Sequence, residues 1–200
     1  MEITPESMKQ YIPYYLTASQ KEWLLKALRD FQDFHCNANY YIDDYHNELL
    51  QGDGWTRLQM RRFETGERGS ILGIVLSNSC DIATENKRDF PTRITFAPII
   101  PLNRYVEYLE KYGIESDRIR DKINSIKKQA ITSLFFLPTG SGLKEDCVAL
   151  LDELYSMPAR AFESEVSKSK IFTLSLFGFY LFIFKISVHF CRFGEEISRD

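Results

Sequence analysis

The stretch from Ser70 to Leu102 constrains the fold most, because two β-rich runs flank a polar segment that cannot be buried. The first run, Ile71–Leu76, is apolar without alternation and rich in β-branched residues, which is typical of a strand covered on both faces. The second run, Arg93–Ile100, contains Pro98. Because proline donates no ladder hydrogen bond, we expect Pro98 and the following Pro101 to mark a strand end or a sheet edge.

The composition excludes several classes of protein. The 200 residues carry a net charge of -3, so any binding of nucleic acid must come from a local patch. The first ten residues lack the basic-then-apolar pattern of a secretory signal, and we expect a cytoplasmic protein. The cysteines are widely spaced, without a CxxC or a paired His–Cys spacing, which predicts reduced thiols at Cys36, Cys80, Cys147 and Cys191.

Helical and strand periods alternate along the chain. Helices are predicted from Thr4 and Ser19, and then across a segment at 103–132, with Asn103 capping one helix and Ser116 opening another. Further strands are predicted at Trp55–Phe63 and Ser133–Leu137, whereas Cys147–Tyr155 fits a helix or a strand equally well.

The apolar segment Ile171–Cys191 is interrupted by Lys185 after about fourteen residues, short of the roughly twenty that span a bilayer. We therefore expect no membrane span. A helix starting from a Ser175 cap is favoured over a strand, because the segment is too long for one strand.

Two basic faces are candidate RNA-binding surfaces. One lies on the strand after Gly54 and the other on the helix from Ser116, and their cations are Arg57, Arg61, Arg118, Arg120, Lys122, Lys127 and Lys128. A solvated helix face is the simpler interpretation of such a charged run, and a face that contacts phosphates is the alternative.

The polar stretch between Phe34 and Leu50 contains residue types that bind metals, but their spacing argues against a metal site. It contains His35, Cys36, Asp43, Asp44 and His46. These spacings fit no common zinc pattern, and such stretches are usually connecting surface. We expect no metal and no cofactor.

Four short segments resemble the MazF/PemK-like toxins, small SH3-like β-barrels that cut RNA. Gly52-Asp53-x-Trp55 is similar to the opening strand of that family, and Ile74-Val75-Leu76-Ser77-Asn78 to its central strand and the following turn. Phe96-Ala97-Pro98-Ile99 is similar to the strand with a Pro-Ile or Pro-Met step, and Leu150-Leu151-Asp152-Glu153-Leu154 to the late strand.

The resemblance implies an α+β fold: an SH3-like antiparallel β-barrel with a C-terminal helix. Residues 1–51 would form an N-terminal helical extension, and residues 52–200 the barrel domain with a helical insertion at 103–132.

The catalytic positions of that family are not matched. The family's catalytic arginine lies just before the central strand, beside a proline, where this chain has Ser70–Leu72. Arg68 is two to three residues out of register, and Ile100 and Pro101 replace the hydroxyl residue after the Pro-Ile step. The resemblance therefore implies a barrel that has lost or relocated its RNA-cleaving groups.

Three functions remain open. The first is a component of a toxin–antitoxin or antiviral phage-defence system that binds single-stranded RNA or a protein partner. The second is a hydrolase, as a metal-independent ribonuclease with a relocated site. The third is a structural adaptor or immunity subunit in a homo- or hetero-oligomer, suggested by the apolar load of Phe172–Phe193. The sequence favours binding over catalysis.

A relocated catalytic site would use Cys80, Asp81, His189 and Arg192. A thiolate activated by an imidazole, or a histidine–arginine pair acting on a phosphate, needs these groups within hydrogen-bond reach. The simpler interpretation makes Cys80 a small buried residue and His189 a satisfied interior histidine. Because Lys185, His189 and Arg192 share one helical stripe, they must reach solvent, meet acidic groups or line a site, and Asp81 is the favoured partner.

Overall fold

The computed structural model describes residues 40–62, 64–83 and 89–190, which form an α+β fold on one antiparallel sheet of eight strands. The strands are β1 (Tyr41–Ile42), β2 (Gly54–Arg61), β3 (Arg68–Val75), β4 (Arg93–Pro101), β5 (Leu134–Leu137), β6 (Cys147–Leu150), β7 (Tyr155–Pro158) and β8 (Lys170–Leu174). The helices in these ranges are α1 (Ser79–Ile82), α2 (Leu102–Lys111), α3 (Ser116–Lys127), α4 (Ala159–Glu163) and α5 (Leu176–Phe190).

The strand order is β1-β8-β2-β3-β4-β6-β5, and β7 pairs with β4 beside this path. The expected antiparallel arrangement is confirmed for the predicted strands: β3 pairs with β4, and β4 is joined to β5 through β6. Within the described residues the sheet is not closed, so the α+β class is confirmed and a closed barrel is not.

One face of the sheet packs against α5 and forms what we call the helix-covered core. This core comprises Tyr40, Tyr41, Ile74, Ala97, Ile99, Phe135, Leu137, Leu143, Cys147, Ala149, Leu151, Phe172, Leu174, Phe177, Leu181, Phe182 and Phe184. Because α5 is apolar on most of its circumference, it can bury Phe177, Leu181, Phe182 and Phe184 in this core.

The opposite face carries two smaller clusters. The Trp55 core lies between β2, β3, β4, β7 and α4 and comprises Trp55, Leu58, Val75, Ile82, Ile94, Phe96, Met157, Ala159 and Phe162. A third cluster lies under α2 and α3 and includes Ile126, Phe136 and Val148. Strand β5 ends the strand order, yet one of its faces contributes Phe135 and Leu137 to the helix-covered core and the other contributes Leu134 and Phe136 to the third cluster, which explains why it is apolar at every position.

Pro101 ends β4, as expected, but Pro98 is not at an edge, contrary to our expectation. It pairs with Gly73 inside the sheet, on the long strand β4. On its other side β4 pairs with β7 through Phe96 and with β6 from Ile99 onward. Pro98 lies at this change of partner, where a missing N–H breaks no ladder.

Several elements differ from the sequence prediction. The ambiguous segment at 147–155 is neither one helix nor one strand, because β6 ends at Leu150 and a turn leads into β7. The late strand expected at Leu150–Leu154 is therefore wrong. The short elements β7, α4 and β8 were not predicted, since four or five residues are too few for a periodicity to show.

The helical segment between β4 and β5 is confirmed, with one correction at its start. Helix α2 begins at Leu102 with Pro101 in the N-cap position, so Asn103 is not the cap. Gly113 follows α2 with a φ of 73°, as expected for a helix stop.

The predicted C-terminal helix is also confirmed. The backbone N–H of Gly178 donates to the Ser175 hydroxyl at 3.1 Å, which is the expected cap. Helix α5 has 15 residues. Among the helices described, none combines the length and the apolarity needed to cross a bilayer.

The helices predicted from Thr4 and Ser19 lie outside the described residues. Of the proposed extension at 1–51, the described part is not helical: β1 joins the sheet beside β8, and turns lead to Gly52. This part of the chain is therefore integral to the sheet.

Candidate functional site

A basic groove lies where β2, β3 and β7 meet. Arg61 on β2 and Arg68 on β3 are direct cross-strand partners, and both are exposed. Like charges directly opposite one another weaken strand pairing. Such a local violation is expected at functional sites, where an anion between the two guanidinium groups would relieve it.

The groove is a cavity of about 420 Å³, lined by Gln59, Met60, Arg61, Arg68, Gly69, Ser70, Ser156, Met157 and Pro158. Arg93 on β4 adjoins it through Ser156. Its guanidinium donates to the Ser156 hydroxyl at 2.9 Å and to the Ser156 carbonyl at 2.8 Å. The groove therefore combines guanidinium groups with the hydroxyl groups of Ser70 and Ser156.

Of the two strand arginines predicted to bind RNA, only Arg61 lines this groove. Arg57 lies at a bulge between Trp55 and Leu58, with a φ of 60°, and is exposed. It faces Glu165: hydrogen bonds from Ser167, together with Arg57, hold the pKa of the Glu165 carboxyl below its usual range.

The cations of α3 are partly engaged within the chain. Arg120 pairs with Asp117 at 3.1 Å, and Lys127 with Asp146 at 2.9 Å. Partial burial raises the pKa of Asp146, but Lys127 and Thr139 outweigh it and hold that pKa below its usual range.

The other cations of this helix are less constrained. The Lys122 ammonium lies 5.6 Å from the Tyr105 ring centre, and Arg118 and Lys128 are exposed. This face is thus closer to a solvated, self-paired helix surface than to a preformed phosphate site.

The four residues of the predicted relocated catalytic site are not brought together by the described contacts. Cys80 and Asp81 are exposed on the single turn of α1, where the Asn78 side chain accepts from the Cys80 N–H at 2.9 Å. His189 lies in the last turn of α5 with its ring 4.6 Å from that of Phe190. No ion pair joins Asp81 to His189 in the described ranges, and Arg192 lies outside them.

Cys80 instead borders an apolar pocket of about 760 Å³. The pocket is lined by Asn47, Glu48, Leu49, Leu50, Trp55, Ser79, Cys80, Ile82, Ala83, Ile94, Ala159, Phe162, Glu163 and Lys168. The expectation that Cys80 is a small buried residue is wrong, because its side chain is exposed. The other described cysteine, Cys147, is buried, and burial raises the pKa of its thiol to about 11.

A buried ion pair that sequence reasoning missed lies beside Trp55. The Lys170 ammonium is 2.7 Å from the Asp53 carboxylate, and both side chains are at least nine-tenths buried. The same carboxylate oxygen accepts from the Leu50 N–H at 2.8 Å, while Lys170 lies 5.4 Å from the Trp55 ring centre. Burial raises the pKa of Asp53 even though Lys170 opposes this shift.

Two facts could have indicated this pair. Asp53 sits between two glycines at the start of a strand, and Lys170 precedes an apolar run. Neither fact specifies the partner, because the pairing of β2 with β8 spans more than a hundred residues of sequence.

Lys185 also behaves differently from the expected polar stripe. It is 1% exposed, and its ammonium donates to the backbone carbonyl of Gln129. Burial lowers the pKa of Lys185 to about 7. The Gln129 side chain is buried too, and it pairs with the N–H and C=O of Phe136 at 3.1 and 2.8 Å.

The described residues contain no cluster of three or more His, Cys, Asp or Glu side chains suited to a metal ion. His46 lies 3.7 Å from Asp43, and His35 and Cys36 are outside the described ranges. No protein-family model matches the chain, and a search of curated proteins found no significant match.

Proposed function

We propose that this protein binds single-stranded RNA through the basic groove, as a divergent MazF/PemK-like component of a toxin or phage-defence system. The observation that carries the proposal is the exposed Arg61–Arg68 pair, with Arg93 held beside it by Ser156. The resemblance of the segments around Trp55, Ile74 and Pro98 to that toxin family supplies the biological setting.

The chemistry of the groove suits a phosphate backbone. Guanidinium groups form paired hydrogen bonds with phosphate oxygens, and the hydroxyl groups of Ser70 and Ser156 can donate to the same anion. Arg93 is oriented in advance by two hydrogen bonds, so it loses little side-chain entropy on binding. The described residues that line the groove are Arg, Ser, Gln, Met, Gly and Pro, which suit phosphate binding, and binding is the function we propose.

The test is fluorescence anisotropy with a 5′-labelled mixed-sequence RNA 12-mer between 50 and 200 mM NaCl. The Arg61→Gln/Arg68→Gln variant should bind at least about tenfold more weakly than the unaltered protein. The slope of log K against log salt should become shallower by about 1.4, because two phosphate contacts are removed.

Two control variants locate the interface. Lys144→Gln removes one positive charge from an exposed residue that does not line the groove, and it should change the affinity for RNA less than twofold. Arg118→Gln/Arg120→Gln tests the α3 face, and a larger loss there than in the groove variant would contradict the proposal. Failure of the unaltered protein to bind RNA at 50 mM NaCl would also contradict it.

The same samples are run on a denaturing gel. Intact RNA after incubation supports a binding function. Cleavage that survives Arg61→Gln/Arg68→Gln would overturn the proposal in favour of a ribonuclease whose site lies elsewhere.

A further inference from the structure

We propose that the apolar pocket beside Cys80 binds a small organic ammonium ion, an amine attached to an aromatic or aliphatic body. The pocket lies between α1, β2, β4 and α4, and it shares none of its described lining residues with the basic groove. Its volume of about 760 Å³ falls in the range of about 300–1,000 Å³ that small-molecule sites occupy.

The inner wall of the pocket suits an apolar body. The rings of Trp55 and Phe162 stand edge to face at 89°, with centres 5.3 Å apart, and Ile82 and Ile94 continue the apolar surface. Both rings are nearly buried, so their positions are fixed by the Trp55 core before any ligand arrives. A preformed apolar wall reduces the entropy cost of binding.

The charges at the pocket favour a cation. Among the described residues of its lining, Glu48 and Glu163 are exposed carboxylates and Lys168 is the one cation. That ammonium is already bound to the carbonyls of Glu163 and Glu165, at 2.8 and 2.9 Å. These hydrogen bonds fix the Lys168 ammonium without neutralising it, and the two carboxylates outnumber it among the described lining charges.

The aromatic rings already interact with ammonium groups of the chain. Lys168 lies 5.5 Å from the centre of the Phe162 ring, and Lys170 lies 5.4 Å from that of Trp55. Ammonium ions are attracted to the faces of aromatic rings, most strongly that of tryptophan. The chain's own lysines thus already supply the cations that these ring faces attract, so the preference for an amine rests on Glu48 and Glu163.

Trp55 is also a reporter for the pocket. Its indole N–H is buried and donates no hydrogen bond within the described residues. A ligand against this side chain should shift its resonance in a ¹H–¹⁵N spectrum of the full chain. The sequence contains two tryptophans, and Trp23→Phe identifies the Trp55 signal.

The experiment compares two probes with the same apolar body and opposite charge, 2-naphthylmethylamine and 2-naphthoate. The amine should bind at least fivefold more tightly and should shift the Trp55 indole signal. It should also slow the reaction of the Cys80 thiol with a maleimide, with Cys80→Ser identifying that site. Equal affinity for the two probes, or amine binding without a Trp55 shift and without thiol protection, overturns the proposal.

Charge variants test the assignment further. Glu48→Gln/Glu163→Gln should reduce the preference for the amine to about twofold or less, because the preference arises from these carboxylates. Glu107→Gln/Glu110→Gln removes two exposed carboxylates from α2 and should leave the preference unchanged. If the preference for the amine survives in Glu48→Gln/Glu163→Gln, or is lost in Glu107→Gln/Glu110→Gln, the amine does not bind in this pocket as proposed. Neither result depends on whether the basic groove binds RNA.

Discussion

The two main cores of this protein treat buried charge in opposite ways. Beside the Trp55 core, the Lys170 ammonium meets the carboxylate of Asp53 at 2.7 Å. In the helix-covered core, Lys185 meets only a backbone carbonyl, that of Gln129, among the described contacts. The first charge is neutralised by a partner, whereas the second is accommodated by a lowered pKa.

The two cores also differ in how far they open to solvent. The Trp55 core is small and opens to solvent on two sides, at the basic groove and at the apolar pocket. The helix-covered core is larger and is closed by α5. The buried charge beside the Trp55 core has a partner of opposite sign, whereas the lowered pKa of Lys185 makes the helix-covered side sensitive to pH near neutrality.

Breaking the ion pair between Asp53 and Lys170 should cause the largest loss of stability. Lys170→Met leaves the Asp53 carboxylate buried without its partner, and we expect a loss of about 3–5 kcal/mol in the free energy of unfolding. Urea denaturation measures it. The matched Asp53→Asn/Lys170→Met variant removes both charges and should recover most of the loss. If the double variant is as unstable as the single one, the charges are not the cause.

Gln129→Ala should destabilise the helix-covered side by about 2–3 kcal/mol. It removes the side-chain partners of the Phe136 N–H and C=O, both of which are buried. Thermal denaturation is the measurement. Exposed Gln59, which lines the groove, is the control: Gln59→Ala should change stability by less than about 0.5 kcal/mol. Equal losses in the two variants would show that Gln129 has no structural role.

The pH dependence of stability sharpens the comparison directly. The folded-state pKa of Lys185, about 7, lies below the unfolded value of about 10.4, so the unfolded state binds more protons in between. Stability should therefore rise from pH 7 to 8.5, by about 2 kcal/mol in all. Above this interval the raised pKa of Cys147 acts in the opposite direction.

Lys185→Met should flatten this rise and should increase stability at pH 6. Urea denaturation at pH 6, 7 and 8.5 gives the three values. Asp53→Asn/Lys170→Met is the control, because it removes the other buried lysine together with its carboxylate partner and leaves Lys185 in place, so the rise should persist in it. An unchanged rise in Lys185→Met would assign the titration to another group.

The smallest effect is expected at the cap of α1. Asn78→Ala removes the acceptor of the Cys80 N–H and should cost about 1 kcal/mol, measured by thermal denaturation. Asn103→Ala is the matched control, since Asn103 is not a cap, and should cost almost nothing. A larger loss at Asn103 than at Asn78 would contradict both helix starts.

The sequence predicted the elements whose pattern is local. Long apolar strands such as Arg93–Pro101, and the capped helix after Ser175, carry their period within themselves. The groove was only half predicted: Arg61 was identified, but Arg68 and Arg93 join it through strand register, which no local pattern encodes. The buried pair of Asp53 and Lys170 is invisible for the same reason.

Strand β4 is a wall common to both cores. Ile94 and Phe96 point to the Trp55 core, and Ala97 and Ile99 to the helix-covered core, because successive side chains alternate across a sheet. Inserting one residue into β4 would exchange the two sets of side chains and place Phe96 against α5. A change in the register of β4 would therefore alter the packing of both cores at once. We expect the two cores to unfold in a single transition.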